Sequence, residues 1–376
     1  MKILVDGGNS GSGGYFRYLS GLFGSGVFDE DQVWIVCSPP VAALLGPVDT
    51  GVEVLMEPAL DSPRRRSRLK WWRREWSVLV ATLKPDAVLH PAGILRGNSL
   101  GVPRIAIHHS MAPFVWSTYR QYGASPLGRE LLVSWLRLRR SFRAAQGVIF
   151  HSAYTQRSVT RQVGGIKLAA RVPNAVSTGF SPGPAPRRNL GAGPVHILCV
   201  SSIHMFKHQW NVVAAVASQR RSSGLDLRLD FVGGGEPLAI RRLQRSIRNH
   251  DAAGWATLHE LPAGRVAEAY RSCDIFVFPS SVETWPITLL EAMASGVPIA
   301  SSDRMSMPEM LRDAGVYFDP ESVRSIATAI EQLLTDADLR ERCAALAPQY
   351  AVPFTWARSA SLVRNFVLRV LERGRT

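Results

Sequence analysis

Short apolar runs alternate with longer helical patterns along this chain, and the alternation runs its course twice. In the first half the runs are ILVDGG (3–8), VWIVCS (33–38), DAVLH (86–90), RIAIHHS (104–110) and GVIFHS (147–152). In the second they are HILCVSS (196–202), LRLDFVGGG (227–235), TLHELP (257–262), DIFVFPS (274–280) and VPIASS (297–302). Runs that are apolar throughout belong to strands buried on both faces, and strands separated by crossover helices run parallel. Each half therefore predicts a doubly wound, Rossmann-like α/β domain. Between Arg171 and Pro194 the stretch RVPNAVSTGFSPGPAPRRNLGAGP is dense in Pro and Gly and reads as an interdomain connection. The expected division is a first domain at 1–175, a linker at 176–194, a second domain at 195–355 and a helix at 356–376. The 376 residues suit two cores, because single cores stop growing near ~250 residues. Two such domains predict a cleft between the C-terminal ends of their strands as the seat of any chemistry.

Lys and Arg number 44 against 30 Asp and Glu, a formal charge of +14. Such an excess attracts anions: nucleic acid, anionic lipid and phosphorylated metabolites all qualify. The four cysteines, Cys37, Cys199, Cys273 and Cys343, form no CxxC pair, so a reducing compartment is expected. The opening MKILVDGG is too short in its apolar part for a signal peptide. No apolar run approaches the ~20 residues of a membrane span, and a cytoplasmic location is expected.

Three segments carry candidate chemistry. In GGNSGSGGYFRYL (7–19), Gly7, Gly8, Gly11, Gly13 and Gly14 sit between a strand and a helix beginning near Tyr15. Glycines let backbone amides approach a ligand, and the helix start favours an anion, although the spacing is not that of the dinucleotide fingerprint GxGxxG. The alternative is a tight structural turn. In SPRRRSRLKWWRREWSVLVATL (62–83), a helical projection gathers Leu69, Trp72, Trp76, Leu79, Val80 and Leu83 in one stripe, with Arg66, Lys70, Arg73 and Arg74 beside it. That pattern predicts an interfacial helix with aromatic side chains at headgroup level and cations toward anionic lipid. Packing on the sheet and contact with nucleic acid are the competing readings, and Trp71, off the stripe, counts against packing as an exposed aromatic. In RIAIHHSMAPF, His108 and His109 end a buried strand, where a polar side chain needs a partner. One of them is expected to face a ligand, with His109 the weaker of the two. Neither has companions at metal-ligand spacing, and DED (29–31) and DAD (336–338) lie in polar contexts unsuited to a metal bound to a diphosphate.

The stretch SSVETWPITLLEAMASGVP (280–298) places Glu283 and Glu291 eight positions apart. The residues follow a buried strand, Pro286 suits a helix's first turn, and Gly296 suits its end. Glu283 is then in a loop and Glu291 in a helix, too far apart to share one spot as acid and base; they read as two contacts on one extended ligand.

This stretch resembles the Glu-x7-Glu motif of the retaining glycosyltransferases of family 4, whose GT-B fold sets two Rossmann-like domains across a cleft. The resemblance covers most of the chain and keeps the family's order. It takes in the N-terminal glycine loop, the histidine strand end, HSAYTQRSV, RVPNAVSTGFSP, the lysine of ILCVSSIHMFK (Lys207), FVGGGEP, SSDRMSMPEMLRDAGVYFDP and FTWARSA. It implies that Glu291 binds the ribose hydroxyls of a nucleotide and Glu283 lies near the donor sugar. Lys207 would neutralise the diphosphate, and backbone around Trp285, Ile287 and Thr288 would hold phosphate oxygens, Pro286 having no N–H to give. It also places Gly233 and Gly234 with the donor, His108 or His109 at the reaction centre, and Gly13 and Gly14 where acceptor and diphosphate meet. The final helix is expected to cross back onto the first domain.

One departure stands out: many members carry Gly-Arg before the lysine, and this chain has Ser201 and Ser202. The resemblance implies a metal-independent, cofactor-free retaining transfer from a UDP- or GDP-sugar to a glycan or lipid-linked acceptor in polysaccharide, lipopolysaccharide or glycolipid assembly. Peripheral attachment to the cytoplasmic face of the membrane is expected, and no nucleic acid. The competing readings are a soluble small-molecule glycosyltransferase, a nucleotide-sugar 2-epimerase, and a basic non-enzymatic protein that binds membrane or nucleic acid.

Overall fold

The runs become strands that are mostly buried, as two-faced coverage by helices requires, except the edge strand formed at TLHELP (Ala256–His259), where only Ala256 is buried. The computed structural model describes residues 1–8, 13–183, 186 and 189–375. They fall into two units, the first made of Met1–Phe114, Arg129–Ala175 and Phe354–Thr376, the second of Val115–Gly128 and Val176–Pro353.

In the first unit seven parallel strands, β1 (Lys2–Gly8), β2 (Gln32–Cys37), β3 (Val52–Met56), β4 (Ala87–His90), β5 (Arg104–Ile107), β6 (Gly147–Phe150) and β7 (Ala169–Arg171), are ordered β3-β2-β1-β4-β5-β6-β7. Leu4 of β1 is paired with Trp34 of β2 on one side and Val88 of β4 on the other. The winding direction reverses between β1 and β4, and ligands of such sheets bind beyond the C-terminal strand ends at that point. In the second unit six parallel strands, β8 (Val195–Val200), β9 (Leu227–Val232), β10 (Ala256–His259), β11 (Ile275–Phe278), β12 (Ile299–Ser302) and β13 (Val316–Phe318), are ordered β10-β9-β8-β11-β12-β13. Here the reversal lies between β8 and β11.

One face of the first sheet is covered by the helix Gly13–Phe23 and by the final helix, Trp356–Arg375, which contributes Ala360, Val363, Phe366, Val367 and Val370 to the core. Ser359 Oγ donates to the Pro173 carbonyl at 2.7 Å, and Arg364 grips Asp31 through Nε at 2.6 Å and Nη2 at 3.2 Å. The other face corrects the interfacial-helix expectation. Trp71, Trp72 and Trp76 are all buried there with Leu4, Trp34, Val36, Val80 and Val88, the Trp72 ring centroid 4.9 Å from each of the other two. The chain is not one helix but two, Arg65–Arg73 and Glu75–Leu83, broken at Arg74 (φ −113°, ψ −66°). The break turns one apolar face relative to the other, so Trp71 packs inward although a continuous helix would expose it. Trp72 and Trp76 are core residues, while Arg66, Lys70, Arg73 and Arg74 are exposed.

The segment Val115–Gly128, placed in the first domain by the sequence reading, groups with the second unit. Its anchor is Tyr122, buried, whose hydroxyl donates to Glu236 Oε1 at 2.7 Å. Among the described residues no helix is long and apolar enough to cross a membrane.

Candidate active site

In the second unit the candidate side chains gather where β8 and β11 end. The chain leaving β11 is buried through Ser280, Ser281, Thr284 and Trp285 before the helix Ile287–Ala294 begins behind Pro286. Geometry leaves the first N–H groups of any helix, here including Ile287 and Thr288, without intrahelical acceptors. The Thr288 carbonyl accepts from the Tyr270 hydroxyl at 2.9 Å, and Gly296 (φ 66°) follows the helix end. Glu291, fully buried, lies on this helix and accepts a hydrogen bond from Ser177 Oγ at 2.8 Å.

Lys207 sits in a short 3-10 turn, Met205–Lys207, after β8. Its ammonium is ion-paired with Glu283, the two side chains being 10% and 14% exposed. The rings of Phe278 and Phe206 lie 5.5 and 5.9 Å from Nζ, so the cation is framed by aromatic faces. The structure therefore joins two residues that the sequence nominated separately, 76 positions apart. Glu283 meets a cation and Glu291 a hydroxyl.

The loops after β8 and β9 run side by side, bridged at Ile203 and Gly235. Gly233 has φ 132°, and a Cβ there would stand 2.5 Å from the Ser201 carbonyl oxygen, so the approach excludes any side chain. A Cβ at Gly234 would meet the Glu260 carboxylate at 2.7 Å. Gln209 Nε2 donates to Ser201 Oγ at 3.0 Å and to the Ser202 carbonyl at 3.1 Å. Ser202, exposed at the position of the family's arginine, supplies no cation.

Sequence reasoning missed the cluster on Glu236. It accepts from Tyr122 and from the Met205 N–H at 3.0 Å, with His204 Nδ1 at 3.5 Å. Burial works to raise its pKa, but the hydrogen bonds from His204 and Tyr122 outweigh it and hold the carboxylate charged. The link joins residues 114 positions apart, and no local pattern announces it.

In the first unit the two adjacent histidines have opposite surroundings, as strand alternation requires. His108 is fully buried among the rings of Phe114, Phe142 and Phe150, with centroids 5.5–5.7 Å away, and burial pushes its pKa down to about 3. His109 is half-buried, with its Nε2 atom turned inward. Its ring packs on Tyr18 at 4.4 Å, and its Nδ1 lies 3.2 Å from His151 Nε2. His151 Nδ1 in turn lies 2.7 Å from the Val172 carbonyl oxygen, which can only accept. The proton of His151 is thereby fixed on Nδ1, its Nε2 accepts from His109 Nδ1–H, and His109 Nε2 carries the lone pair. Burial, then the neighbouring His151, hold His109 neutral well below its ordinary pKa.

Gly13 opens the helix Gly13–Phe23, and a Cβ at Gly14 would meet nothing within 4 Å; Gly11 lies outside the described residues. A second feature the sequence did not disclose lies at the β1/β4 reversal. Asp6, fully buried, has Oδ2 3.2 Å from His90 Nδ1 and Oδ1 3.4 Å from Arg96 Nη1. Among the described residues no group of three or more His, Cys, Asp or Glu could hold a metal ion.

Residues 29–180 match the family model described as Glycosyltransferase Family 4, and residues 186–350 the one described as Glycosyl transferases group 1. The chain is 36% identical over 113 residues to O-antigen chain mannosyltransferase B of Escherichia coli, covering 30% of each chain. It is 30% identical over 172 residues to the D-inositol 3-phosphate glycosyltransferase of Paenarthrobacter aurescens, covering 44% of this chain and 42% of that one. The chain thus spans less than half the length of these curated relatives. Among solved structures, sucrose-phosphate synthase from Thermosynechococcus elongatus is similar at a TM-score of 0.76 with 15% identity, over 99% of both chains. Anabaena HepE in complex with UDP and glucose is similar at a TM-score of 0.73 with 16% identity, over 98% of this chain and 99% of that one. With a Family 4 match over its first half, a group 1 match over its second and this fold along its length, the chain belongs to the GT-B-fold glycosyltransferases.

Proposed function

We propose that the protein transfers a sugar from a nucleoside diphosphate sugar to a glycan or lipid-linked acceptor, with retention at the anomeric carbon. The observation that carries this reading is Lys207, a shielded cation paired with Glu283 close in sequence to the hydroxyl-binding carboxylate Glu291. Glu291 takes the ribose hydroxyls in place of the Ser177 hydroxyl. Lys207 meets the diphosphate, whose negative charge grows as its bond to the anomeric carbon breaks. Glu283 is then positioned toward the sugar. The acceptor hydroxyl oxygen bonds to the anomeric carbon on the face the diphosphate leaves, and its proton passes to the departing diphosphate oxygen.

The relatives support the direction of this reading: one is described as an O-antigen chain mannosyltransferase, and a structural neighbour was solved with UDP and glucose. Cell-surface polysaccharide or glycolipid synthesis at the cytoplasmic face of a membrane is the proposed setting. The exposed Arg66, Lys70, Arg73 and Arg74 would meet anionic headgroups there by charge alone, the tryptophans being buried.

The test is a screen of UDP-, GDP- and ADP-sugars for slow donor hydrolysis without acceptor. Release of one nucleoside diphosphate, with the donor KM raised in Glu291→Ala, supports the proposal. A 2-epimerised sugar as product, or salt-dependent oligonucleotide binding with no hydrolysis of any donor, overturns it.

A further inference from the structure

The first unit holds a cavity of about 710 Å³ between the helix Arg65–Arg73, the loop that follows β4 and the helix Pro126–Ala144. That volume is within the usual range for small-molecule sites, about 300–1,000 Å³. Five arginines line it, Arg68, Arg73, Arg96, Arg137 and Arg140, and no acidic residue does. Among the described residues, only Arg96 of the five has a carboxylate partner, Asp6. Arg68 donates to the Ser62 carbonyl, and among the described residues no carboxylate pairs with Arg73, Arg137 or Arg140. So many like charges around one space raise its energy until an anion enters.

Arg96 is held rather than solvated. Its guanidinium lies over the Trp72 ring at 5.4 Å while Nη1 reaches Asp6, at the reversal between β1 and β4. The loop carrying it is shaped by Gly97 (φ 64°), where a Cβ would stand 2.1 Å from the buried Trp76 ring. The cavity is thus fixed to the end of the sheet where this fold class binds ligands.

Leu69, Trp72, Ile94 and Leu95 give the lining its apolar part, beside Gly97 and the uncharged polar Asn98 and Ser141. The helix Pro126–Ala144 extends that character outward. Leu132, Val133 and Leu136 are 51%, 43% and 39% exposed, and they stand one turn along the same face from Leu136, Arg137 and Arg140 respectively. An apolar strip therefore leads from the cationic cavity along the helix surface.

Guanidinium forks match phosphate oxygens bidentately, and an exposed apolar strip beside them suits a hydrocarbon. We propose that this cavity binds the phosphate or diphosphate group of an amphiphilic acceptor, whose apolar chain lies along Leu132, Val133 and Leu136. The assignment rests on the transfer reading above and names its acceptor class.

Calorimetric titration without nucleotide sugar tests it, so its outcome is independent of donor hydrolysis. The probes are inorganic pyrophosphate, farnesyl diphosphate below its micellar concentration, and phosphatidylglycerol vesicles. Farnesyl diphosphate is expected to bind at least tenfold more tightly than pyrophosphate. Arg137→Gln/Arg140→Gln should weaken both at least tenfold, and Leu132→Gln/Leu136→Gln should weaken only farnesyl diphosphate; all four positions are exposed, and circular dichroism checks folding. Three results would overturn the proposal: farnesyl diphosphate binding unchanged in the arginine variant, equal affinity for pyrophosphate and farnesyl diphosphate, or vesicle binding with no binding of soluble farnesyl diphosphate.

Discussion

Replacing Lys207 by alanine perturbs two things that can be measured apart. The first is stability. Lys207 and Glu283 are 10% and 14% exposed at their side chains, so the substitution leaves a mostly buried carboxylate without its cation. Breaking a fully buried pair costs about 3–5 kcal/mol. The residual exposure lets Glu283 turn toward water, which places the loss nearer ~2 kcal/mol. For a unit of this size that lowers the melting temperature by about 4–8 °C.

The second is turnover. If Nζ neutralises the leaving diphosphate, its removal withdraws an interaction that strengthens in the transition state, and the rate falls about 100- to 1,000-fold. Ser202 offers no second cation to share the work, so the upper part of that range is expected. Single-turnover donor hydrolysis at saturating donor, read below the lowered melting point, isolates this term. Lys207→Arg should recover at least tenfold over Lys207→Ala, because the charge is restored. A wild-type rate in Lys207→Ala at saturating donor refutes the reasoning, whatever happens to the melting temperature.

Glu291→Ala should raise the donor KM at least tenfold with a smaller change in kcat, while Ser177→Ala, which removes only the hydroxyl now occupying Oε1, should leave that KM unchanged or lower it; steady-state kinetics decide both. His108 is held neutral by burial, with its pKa pushed down to about 3 against an ordinary value near 6.5. A depressed pKa means that the stability is fully present above pH ~6.5 and is lost as the pH falls toward the folded value, at about 1.4 kcal/mol per pH unit. His108→Phe should therefore become more stable relative to the parent by roughly 2 kcal/mol between pH 6.5 and pH 5, and a pH-independent difference in urea midpoints would count against it. Phe366→Ala empties a site that is 1% exposed and packs on the backbone at Gly147, so it should destabilise the first unit by about 3–5 kcal/mol, with hydrogen exchange accelerated in β1, β5 and β6.

Both doubly wound sheets were legible because their central strands are unbroken apolar runs, and that pattern needs no knowledge of partners. The strands that escaped notice lack it. β3 (VEVLM) keeps only Val52 buried, β7 is AAR, and β13 is three residues long. The Trp segment was misread for a different reason. A helical projection assumes one axis, and the irregular torsions at Arg74, which nothing in the local sequence marks, break it into two. The cationic cavity was out of reach altogether, since it assembles Arg68, Arg96 and Arg140 from three elements that only the fold brings together.

Residue spacing nominated Glu283 and Glu291, and their neighbours separate their roles. Glu291 lies on a helix, fully buried, and accepts from a serine hydroxyl, a contact chemically equivalent to one from a ribose hydroxyl. Glu283 lies in the preceding loop and is neutralised by Lys207. An incoming diphosphate competes with Glu283 for that cation, and it carries more charge than the carboxylate. Capture of Lys207 by the diphosphate would release Glu283 at the moment a sugar, with its hydroxyls and its developing positive charge, arrives beside it. A carboxylate set free in this way can hydrogen-bond the sugar or stabilise that charge without being the nucleophile. Under the proposed function, the Lys207–Glu283 ion pair is the resting arrangement of the site, and its two charges would be exchanged for those of the donor on binding.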